Sequence, residues 1–253
     1  MTTSPVAIVT GGFQGLGLGA VNALAAEGFR VAVVDLRTPD EVPTDLFPGG
    51  VRYYELDIAD LGAHDRVLDQ IIADFGRIDC LVNNAGIAAR PLTDILELSP
   101  ELFDRSVEIN LRGTFFLTQK FANRLIAQGT DEHYASIITI TSIAAELVNT
   151  QRAQYCVTKA GLSMVTKLYA QRLAPLGIAC HEIRPGFMQT AMLAPVGQTV
   201  VDEWIEDGRV PIPRWGSPAD VGTSVATLAS GRMPYSTGQA YWVAGGLNIP
   251  PAP

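Results

Sequence analysis

The stretch T-G-G-F-Q-G-L-G, from Thr10 to Gly17, decides the fold because it sets glycines 11, 15 and 17 between two regular patterns. Before it, residues 6–10 form a short apolar run rich in β-branched side chains, as expected of a buried strand. After it, residues 16–27 carry apolar side chains at helical spacing. Glycines in such a turn let the backbone approach a pyrophosphate, and the helix N-terminus offers unpaired N–H groups. The stretch therefore predicts the first strand-turn-helix unit of a dinucleotide-binding sheet.

Strand and helix patterns continue to alternate along the chain. Apolar runs predict further strands at residues 30–35, 51–55, 80–83, 136–141, 178–184 and 239–243. Helical spacing predicts helices at residues 64–75, 100–128, 154–173 and 219–230, with a short one at 202–207. The strands are short continuous apolar runs, which is typical of a sheet covered on both faces. We expect one α/β domain over residues 1–253, a Rossmann-type doubly wound sheet of seven parallel strands with helices on both faces.

One segment breaks this rhythm. Residues 186–215 separate the sixth strand from the last helix, and this is too long for an ordinary connection. Long loops in compact domains are usually functional, so we expect a substrate loop there.

Composition excludes several classes of function. The net charge is −8 and only 17% of the 253 residues are charged, so neither nucleic acid nor an anionic membrane surface is an expected partner. No apolar run approaches the ~20 residues of a membrane span, and no signal peptide is visible, which predicts a cytoplasmic protein. The three cysteines and three histidines are dispersed, so we expect neither disulfides nor a metal site.

A carboxylate at the end of the second strand indicates the cofactor. Asp35 can accept hydrogen bonds from both ribose hydroxyls of an adenosine, and it would repel a 2′-phosphate. Arg37, two residues later, could pair with such a phosphate, but Asp35 lies before it. The pattern predicts NAD as the cofactor. The expected partner is a small-molecule substrate that reacts at the nicotinamide end of NAD.

Two further strand ends add to the predicted cofactor site. The sequence Asn83-Asn-Ala-Gly86 ends the fourth strand with small residues that leave space for the cofactor, and Asp57 follows the third strand near the adenine edge. Asn83 itself is interpreted as structural, bridging adjacent strands by side-chain hydrogen bonds.

A tyrosine and a lysine share one helical face. Tyr155 and Lys159 stand at i and i+4, so a nearby ammonium is expected to lower the tyrosine pKa and make Tyr155 a usable acid or base. Ser142 ends the fifth strand, on the same rim of the sheet as the start of this helix. Ser142 could equally be a helix cap or a turn residue.

The motifs TGxxxGxG, NNAG, YxxxK and Pro185-Gly186, with Asp35, Asn110 and Ser142, resemble those of the short-chain dehydrogenase/reductase family in order and spacing, over nearly the whole chain. The resemblance implies a homotetramer. It also implies catalytic roles for Asn110, Ser142, Tyr155 and Lys159: Tyr155 as general acid/base, Lys159 lowering its pKa, Ser142 binding the reacting oxygen, and Asn110 holding a relay water by kinking its helix. The cofactor residues expected from motifs and resemblance together are Gly11, Gln14, Gly15, Leu16, Gly17, Asp35, Leu36, Asp57, Ile58, Asn84, Ala85, Gly86, Tyr155, Lys159, Pro185, Gly186, Met188 and Thr190.

The substrate is the least determined feature. The chain is similar to enzymes labelled 3-oxoacyl-carrier-protein reductases and to sugar or polyol dehydrogenases. Polar residues near the site suit a sugar, polyol or sugar acid, which predicts interconversion of a secondary alcohol (or hemiacetal) and a carbonyl. The alternatives are a 3-oxoacyl thioester reductase and a non-catalytic dinucleotide sensor. Arg152 or Arg90 could anchor an acidic group, or each could be a surface or interface arginine. The candidate substrate residues are Glu146, Asn149, Arg152 and Gln189.

Overall fold

Seven parallel strands form one sheet in the computed structural model, which describes residues 4–43, 45–130, 132–190 and 195–249. In chain order they are β1 (Val6–Thr10), β2 (Arg30–Asp35), β3 (Val51–Glu55), β4 (Cys80–Asn83), β5 (Ala135–Ile140), β6 (Ile178–Pro185) and β7 (Ala240–Val243). Across the sheet the order is β3-β2-β1-β4-β5-β6-β7, with Val9 opposite Val33 of β2 and Val82 of β4. The predicted seven-stranded parallel sheet is confirmed.

Helices connect these strands and cover both faces. They are α1 (Gly15–Ala26), α2 (His64–Phe75), α3 (Pro100–Ser106), α4 (Thr114–Gln128), α5 (Ala153–Leu173), α6 (Pro195–Glu206) and α7 (Pro218–Ala229). Their ends follow local chemistry. Ser217 caps α7, accepting a hydrogen bond from Asp220 N while the Asp220 carboxylate accepts one from Ser217 N. Gly76, at φ 82°, ends α2 in the left-handed conformation that glycine adopts at least cost.

Successive residues of each strand enter two separate cores, as the two-residue period of a strand requires. Ile8 packs into the core beneath α2 and α4, which includes Phe121. Val9 packs into the core beneath α1 and α7, which includes Leu24 and Val225. The inner strands β1, β2, β4 and β5 are therefore buried on both faces, which explains their continuous apolar sequence.

Two helices differ from their predicted bounds by more than one residue. The predicted helix 100–128 is interrupted by a π-helical segment, Val107–Gly113, between α3 and α4. The short helix predicted at 202–207 is the end of the longer α6, which begins at Pro195. Proline is common in the first turn of a helix, and the sequence prediction overlooked this start signal. Within the described residues, no helix is both long enough and apolar enough to cross a membrane.

The strand order reverses between β1 and β4, since β2 and β3 lie to one side and β5, β6 and β7 to the other. At such a point the connections leave the carboxyl ends of the strands in opposite directions and open a crevice between them. The fold thus sets the place of the site before any side chain is considered.

Candidate active site

A groove opens at this reversal point, above the carboxyl ends of β1, β2, β4 and β5. Its lining comes from the loops that follow these strands, from residues after β3 and β6, and from α3, the π-helical segment and α5. The lining residues are Gly11, Gln14, Gly15, Leu16, Val34, Asp35, Leu36, Leu56, Asp57, Ile58, Asn84, Ala85, Gly86, Ile87, Arg105, Ile109, Ile140, Thr141, Tyr155, Lys159 and Thr190.

The glycine loop is packed too tightly for side chains. Gly11 has φ 64°, and a Cβ on it would lie 2.9 Å from the backbone of Ala85. A Cβ on Gly17 would lie 2.0 Å from the Gly11 carbonyl oxygen. Gln14, the N-cap of α1, makes no side-chain capping bond. First-turn N–H groups of α1 therefore face the groove without a side-chain cap, an arrangement that suits a phosphate.

Asn84 fastens the loop after β4 to the glycine loop. Its amide nitrogen donates to the carbonyl oxygens of Thr10 and Gly11, each at 3.0 Å. The Thr10 hydroxyl in turn accepts from the backbone nitrogens of Asn84 and Ala85. These bonds give the groove a rigid floor. Asn83 does not bridge strands as predicted, because its amide donates to the Thr118 hydroxyl on α4 at 2.8 Å.

Asp35 lies at the far end of the groove from Tyr155. Its carboxylate accepts from Phe13 N at 3.2 Å and from Leu36 N at 2.9 Å, which fixes its orientation at the groove edge. The guanidinium of Arg37 stacks on the Phe13 ring at 4.1 Å from its centroid. Arg37, which could have favoured a 2′-phosphate, thus stacks on the Phe13 ring. It lies beside the Asp35 carboxylate, which repels such a phosphate.

Tyr155, Ser142 and Lys159 meet at the near end of the groove. The Ser142 hydroxyl interacts with that of Tyr155. Lys159 Nζ lies 5.5 Å from the centre of the Tyr155 ring and donates to the Ile140 carbonyl oxygen at 2.9 Å. Ser142 also caps the following turn by accepting from Ala144 N at 3.1 Å. Ser142 is therefore a turn cap, and its hydroxyl also lies beside that of Tyr155.

The tyrosine pKa differs from the prediction. Burial raises the pKa of Tyr155 above its ordinary value, while the Ser142 hydroxyl and the Arg152 charge act to lower it. Burial also lowers the pKa of Lys159 to about 8, against the charge of Glu182, which raises it. The prediction of a lowered tyrosine pKa considered the ammonium charge and omitted desolvation, which penalises the charged form of both groups.

A network of buried charged and polar side chains lies near Lys159. Glu182, on β6, accepts hydrogen bonds from the hydroxyls of Thr141 at 2.6 Å and Ser163 at 2.7 Å. Arg184 pairs with Glu182 at 2.6 Å and also with Glu146, which follows Ser142. The network ties the segment after β5 to β6 and α5. Sequence reasoning missed it, although two charged residues in a predicted buried strand were a usable signal.

Asn110 acts as a clamp on the loop after β4. It is fully buried in the π-helical segment, its oxygen accepts from Ile87 N at 2.7 Å, and its amide donates to Ile87 O at 3.0 Å. The amide also reaches the Thr158 hydroxyl on α5 at 3.3 Å. A π-turn often marks a functional position within a helix. Here it brings Asn110 against both the groove loop and the helix that carries Tyr155.

A family model described as Enoyl-(Acyl carrier protein) reductase matches residues 11–248. The chain belongs to the short-chain dehydrogenase/reductase family. It is an oxidoreductase of that family, and the resemblance stated from the motifs is confirmed.

Three similar proteins have related names. The chain is 34% identical to a (3R)-3-hydroxyacyl-CoA dehydrogenase of Canis lupus familiaris, over 97% of both chains. It is 32% identical to a 3-oxoacyl-[acyl-carrier-protein] reductase of Staphylococcus epidermidis, over 96% of this chain and 98% of that one. A crystal structure of a Brucella melitensis 3-oxoacyl-[acyl-carrier protein] reductase in complex with NAD has 40% identity and a TM-score of 0.95, covering 100% of both chains.

Most of the predicted cofactor residues of this dehydrogenase/reductase line the groove. Four do not. Gly17 lies under the glycine loop, while Pro185 ends β6 and Gly186 packs against Ala244. Met188 is buried and pairs with Gly216 across an isolated β-bridge. The lining residues that the prediction omitted, such as Ile109 and Ile140, are apolar and carry no motif signal.

The four predicted substrate residues have different surroundings. Glu146 forms the ion pair with Arg184, and Asn149 caps the turn Thr150–Arg152 by accepting from Gln151 N. Gln189 is exposed and joins Gly216 through its backbone. Only Arg152 has a described side-chain contact with a catalytic candidate, since its guanidinium carbon lies 5.7 Å from the centre of the Tyr155 ring.

No metal site is predicted, and among the side chains that the structure describes no three His, Cys, Asp or Glu residues are grouped to hold an ion. The predicted substrate loop 186–215 is only partly covered by the structure, because residues 191–194 lie outside the described ranges. In its later part, Trp215 donates to Asp202 at 2.6 Å, which joins α6 to the chain leading into α7.

Proposed function

We propose that this protein is an NAD-dependent oxidoreductase that interconverts 3-oxoacyl and 3-hydroxyacyl groups, carried as thioesters. The observation that carries the proposal is the meeting of Ser142, Tyr155 and Lys159 at one end of a groove whose other end presents Asp35. The names of the three similar proteins support an acyl substrate over the sugar or polyol that the polar residues suggested. Glu146 was one of those polar residues, and its carboxylate is paired with Arg184, so it no longer supports a sugar-binding site.

The groove fits the proposed dinucleotide. Its glycine loop leaves no room for a Cβ at Gly11, and the first turn of α1 has no side-chain cap. Thr190 lies close enough that a Cβ on Gly15 would be 3.7 Å from its methyl group, so its side chain borders the same loop. When bound, NAD supplies or accepts the hydride, and Asp35 would hold the ribose hydroxyls of its adenosine.

The protein's own residues would handle the proton and the developing charge. In the reductive direction, the Tyr155 hydroxyl donates its proton to the substrate carbonyl oxygen, and Ser142 donates a hydrogen bond to that same oxygen. The raised pKa of Tyr155 keeps the phenol protonated at neutral pH, which suits proton donation in reduction. Lys159, fixed by Ile140, keeps a positive charge beside the ring as the phenol loses its proton.

The proposal also includes the roles of the site residues given above and assembly of the protein as a homotetramer. Along α5, the side chains of Val157, Met164 and Leu168 are about half exposed, and their spacing places them along one side of the helix. An exposed apolar stripe of this kind supports association with further copies of the chain. Mass photometry of the purified protein at micromolar concentration would give the subunit number directly.

The test is a substrate panel followed at the NADH absorbance. Wild-type protein is assayed with 3-oxobutanoyl-CoA plus NADH or NADPH, and with aldoses, polyols and sugar acids plus NAD. We expect turnover of the thioester with NADH, at least about 10-fold preferred over NADPH, from the repulsion between Asp35 and a 2′-phosphate. Efficient turnover of a sugar with no turnover of any 3-oxoacyl compound would overturn the proposal.

A further inference from the structure

Arg152 lies beside Tyr155, which lines the reacting end of the groove. It is the last residue of the short turn Thr150–Arg152, where its backbone nitrogen donates to Asn149 O at 3.0 Å. Its guanidinium carbon lies 5.7 Å from the centre of the Tyr155 ring, and the ammonium nitrogen of Lys159 lies 5.5 Å from the same centre. Two cationic groups therefore lie close to the tyrosine that is proposed to transfer the proton.

These two cations differ in what they contact. Lys159 is buried and donates to a backbone carbonyl. Arg152 is partly exposed, and in the part of the chain that the structure describes its guanidinium contacts the Tyr155 ring and forms no ion pair. The nearby Glu146 is not its partner, because that carboxylate pairs with Arg184.

A shortage of carboxylates does not explain this. The chain has 26 acidic residues and 18 lysines and arginines, and other arginines find acidic partners, as Arg214 does with Asp220. A guanidinium recognises a carboxylate through two parallel hydrogen bonds and stays charged at every working pH. Placed beside Tyr155, such a group would recognise an anion close to the reacting carbon.

We propose that Arg152 binds a carboxylate of the substrate, so that the preferred substrates are 3-oxo or 3-hydroxy compounds with a carboxylate near the reacting carbon. The inference rests on the proposed reaction at the 3-position. A dicarboxylic acyl thioester would narrow the proposed substrate class, whereas a free 3-oxo acid would replace the thioester with the acid itself. The carboxylate could be the free acid group of a short 3-oxo acid or the far end of a dicarboxylic acyl chain. The phosphates of an acyl carrier are excluded by distance, because a full pantetheine arm separates them from the reacting carbon.

The experiment compares charged and neutral substrates of nearly equal size. Values of kcat/KM are measured with NADH for 3-oxobutanoate, its methyl ester, 3-oxobutanoyl-CoA and a 3-oxo dicarboxylic mono-CoA thioester. The variants are Arg152→Gln and Arg152→Lys, with Arg66→Gln on the exposed side of α2 as the matched control. Elution volume on a sizing column is recorded for each.

We expect wild type to prefer a carboxylate-bearing substrate over its neutral counterpart, and Arg152→Gln to lower kcat/KM for that substrate about 10- to 100-fold. The neutral ester should change little, Arg152→Lys should keep part of the preference, and Arg66→Gln should match wild type. A preference for the free acid identifies the short 3-oxo acid, and a preference for the dicarboxylic thioester identifies the acyl chain end.

Three results would overturn the inference without removing the proposed function. Equal losses on charged and neutral substrates would make Arg152 a general positioning residue. A changed elution volume for Arg152→Gln would make it an interface residue. Turnover of the neutral thioester, with Arg152→Gln unchanged on every substrate, would remove the carboxylate site and leave the proposed function standing. Absence of turnover with all four 3-oxoacyl compounds would instead remove the proposed function, and this inference with it.

Discussion

Lys159 Nζ donates a 2.9 Å hydrogen bond to the carbonyl oxygen of Ile140, the last residue of β5. This bond ties α5, which carries Tyr155, to the strand end that Ser142 follows two residues later. The spacing between Tyr155 and Ser142 is therefore set by the sheet and one buried lysine. A charge held this way would need little reorganisation in the proposed proton transfer from Tyr155.

Replacing this lysine is expected to abolish turnover while the fold remains. Lys159→Met removes the charge beside Tyr155, and we expect kcat/KM to fall about 100-fold or more, as for loss of a group that assists proton transfer. Steady-state kinetics and circular dichroism measure the two effects. Lys167→Met, on the exposed side of the same helix, serves as the control and should match wild type. Near-normal turnover by Lys159→Met would show that the charge is not required.

Asn110 is expected to contribute to both stability and rate. Asn110→Ala leaves the backbone N–H and C=O of Ile87 without their partner, and each unpaired buried group costs about 1–3 kcal/mol. Urea unfolding should show this loss, and kcat should fall because the loop beside Lys159 loosens. Asn22→Ala, an exposed asparagine on α1, should leave both unchanged. Wild-type stability in Asn110→Ala would mean that the clamp is not needed.

Asp35 is expected to decide between the two dinucleotides. Asp35→Ser removes the negative charge that would repel a 2′-phosphate, and Arg37 already lies two residues away over the Phe13 ring. The ratio of kcat/KM for NADPH to that for NADH should rise about 10-fold or more. Asp40→Ser, an exposed aspartate in the next turn, provides the matched comparison. An unchanged ratio in Asp35→Ser would place the discrimination elsewhere.

The buried His181 predicts a loss of stability in acid. Burial lowers the pKa of His181 to about 4 from an ordinary 6.5, so between these values the unfolded chain binds a proton that the folded chain does not. The folded state should have its full stability above pH 6.5 and lose up to about 1.4 kcal/mol per pH unit as the pH falls towards 4. Urea unfolding from pH 7.5 to 4.5 measures the slope. His181→Asn should reduce the slope, and equal slopes in wild type and His181→Asn would contradict the assignment.

Much of the fold could be predicted from the sequence because the strands are short and apolar. The bounds of β1, β2, β3, β4 and α2 coincide with the predicted ones, since glycine, proline or charged residues stand at their ends. The π-helical segment could not be predicted in this way. It brings Asn110 against Ile87, which lies 23 residues away in the chain, and local spacing does not reveal such a contact.

The candidate site was predictable where a motif requires a backbone shape or a fixed spacing. Gly11 and Gly15 have positive φ values, and Tyr155 and Lys159 lie one helical turn apart. The substrate end was less predictable, because the partner of Glu146 comes from β6 and no local pattern pairs them. The predicted direction of the Tyr155 pKa shift was wrong for a related reason, because the burial that raises this pKa depends on residues distant in sequence.

The proposed role of Tyr155 is tested most directly by measuring the reduction of 3-oxobutanoyl-CoA by NADH in wild type, Tyr155→Phe and Tyr235→Phe. NADH binding to each protein is followed by fluorescence. Tyr235 is fully exposed and serves as the control. We expect Tyr155→Phe to lose about 100-fold or more in kcat while its Kd for NADH stays close to wild type, and Tyr235→Phe to be unaffected. Turnover by Tyr155→Phe at a rate close to wild type would show that the Tyr155 hydroxyl does not transfer the proton.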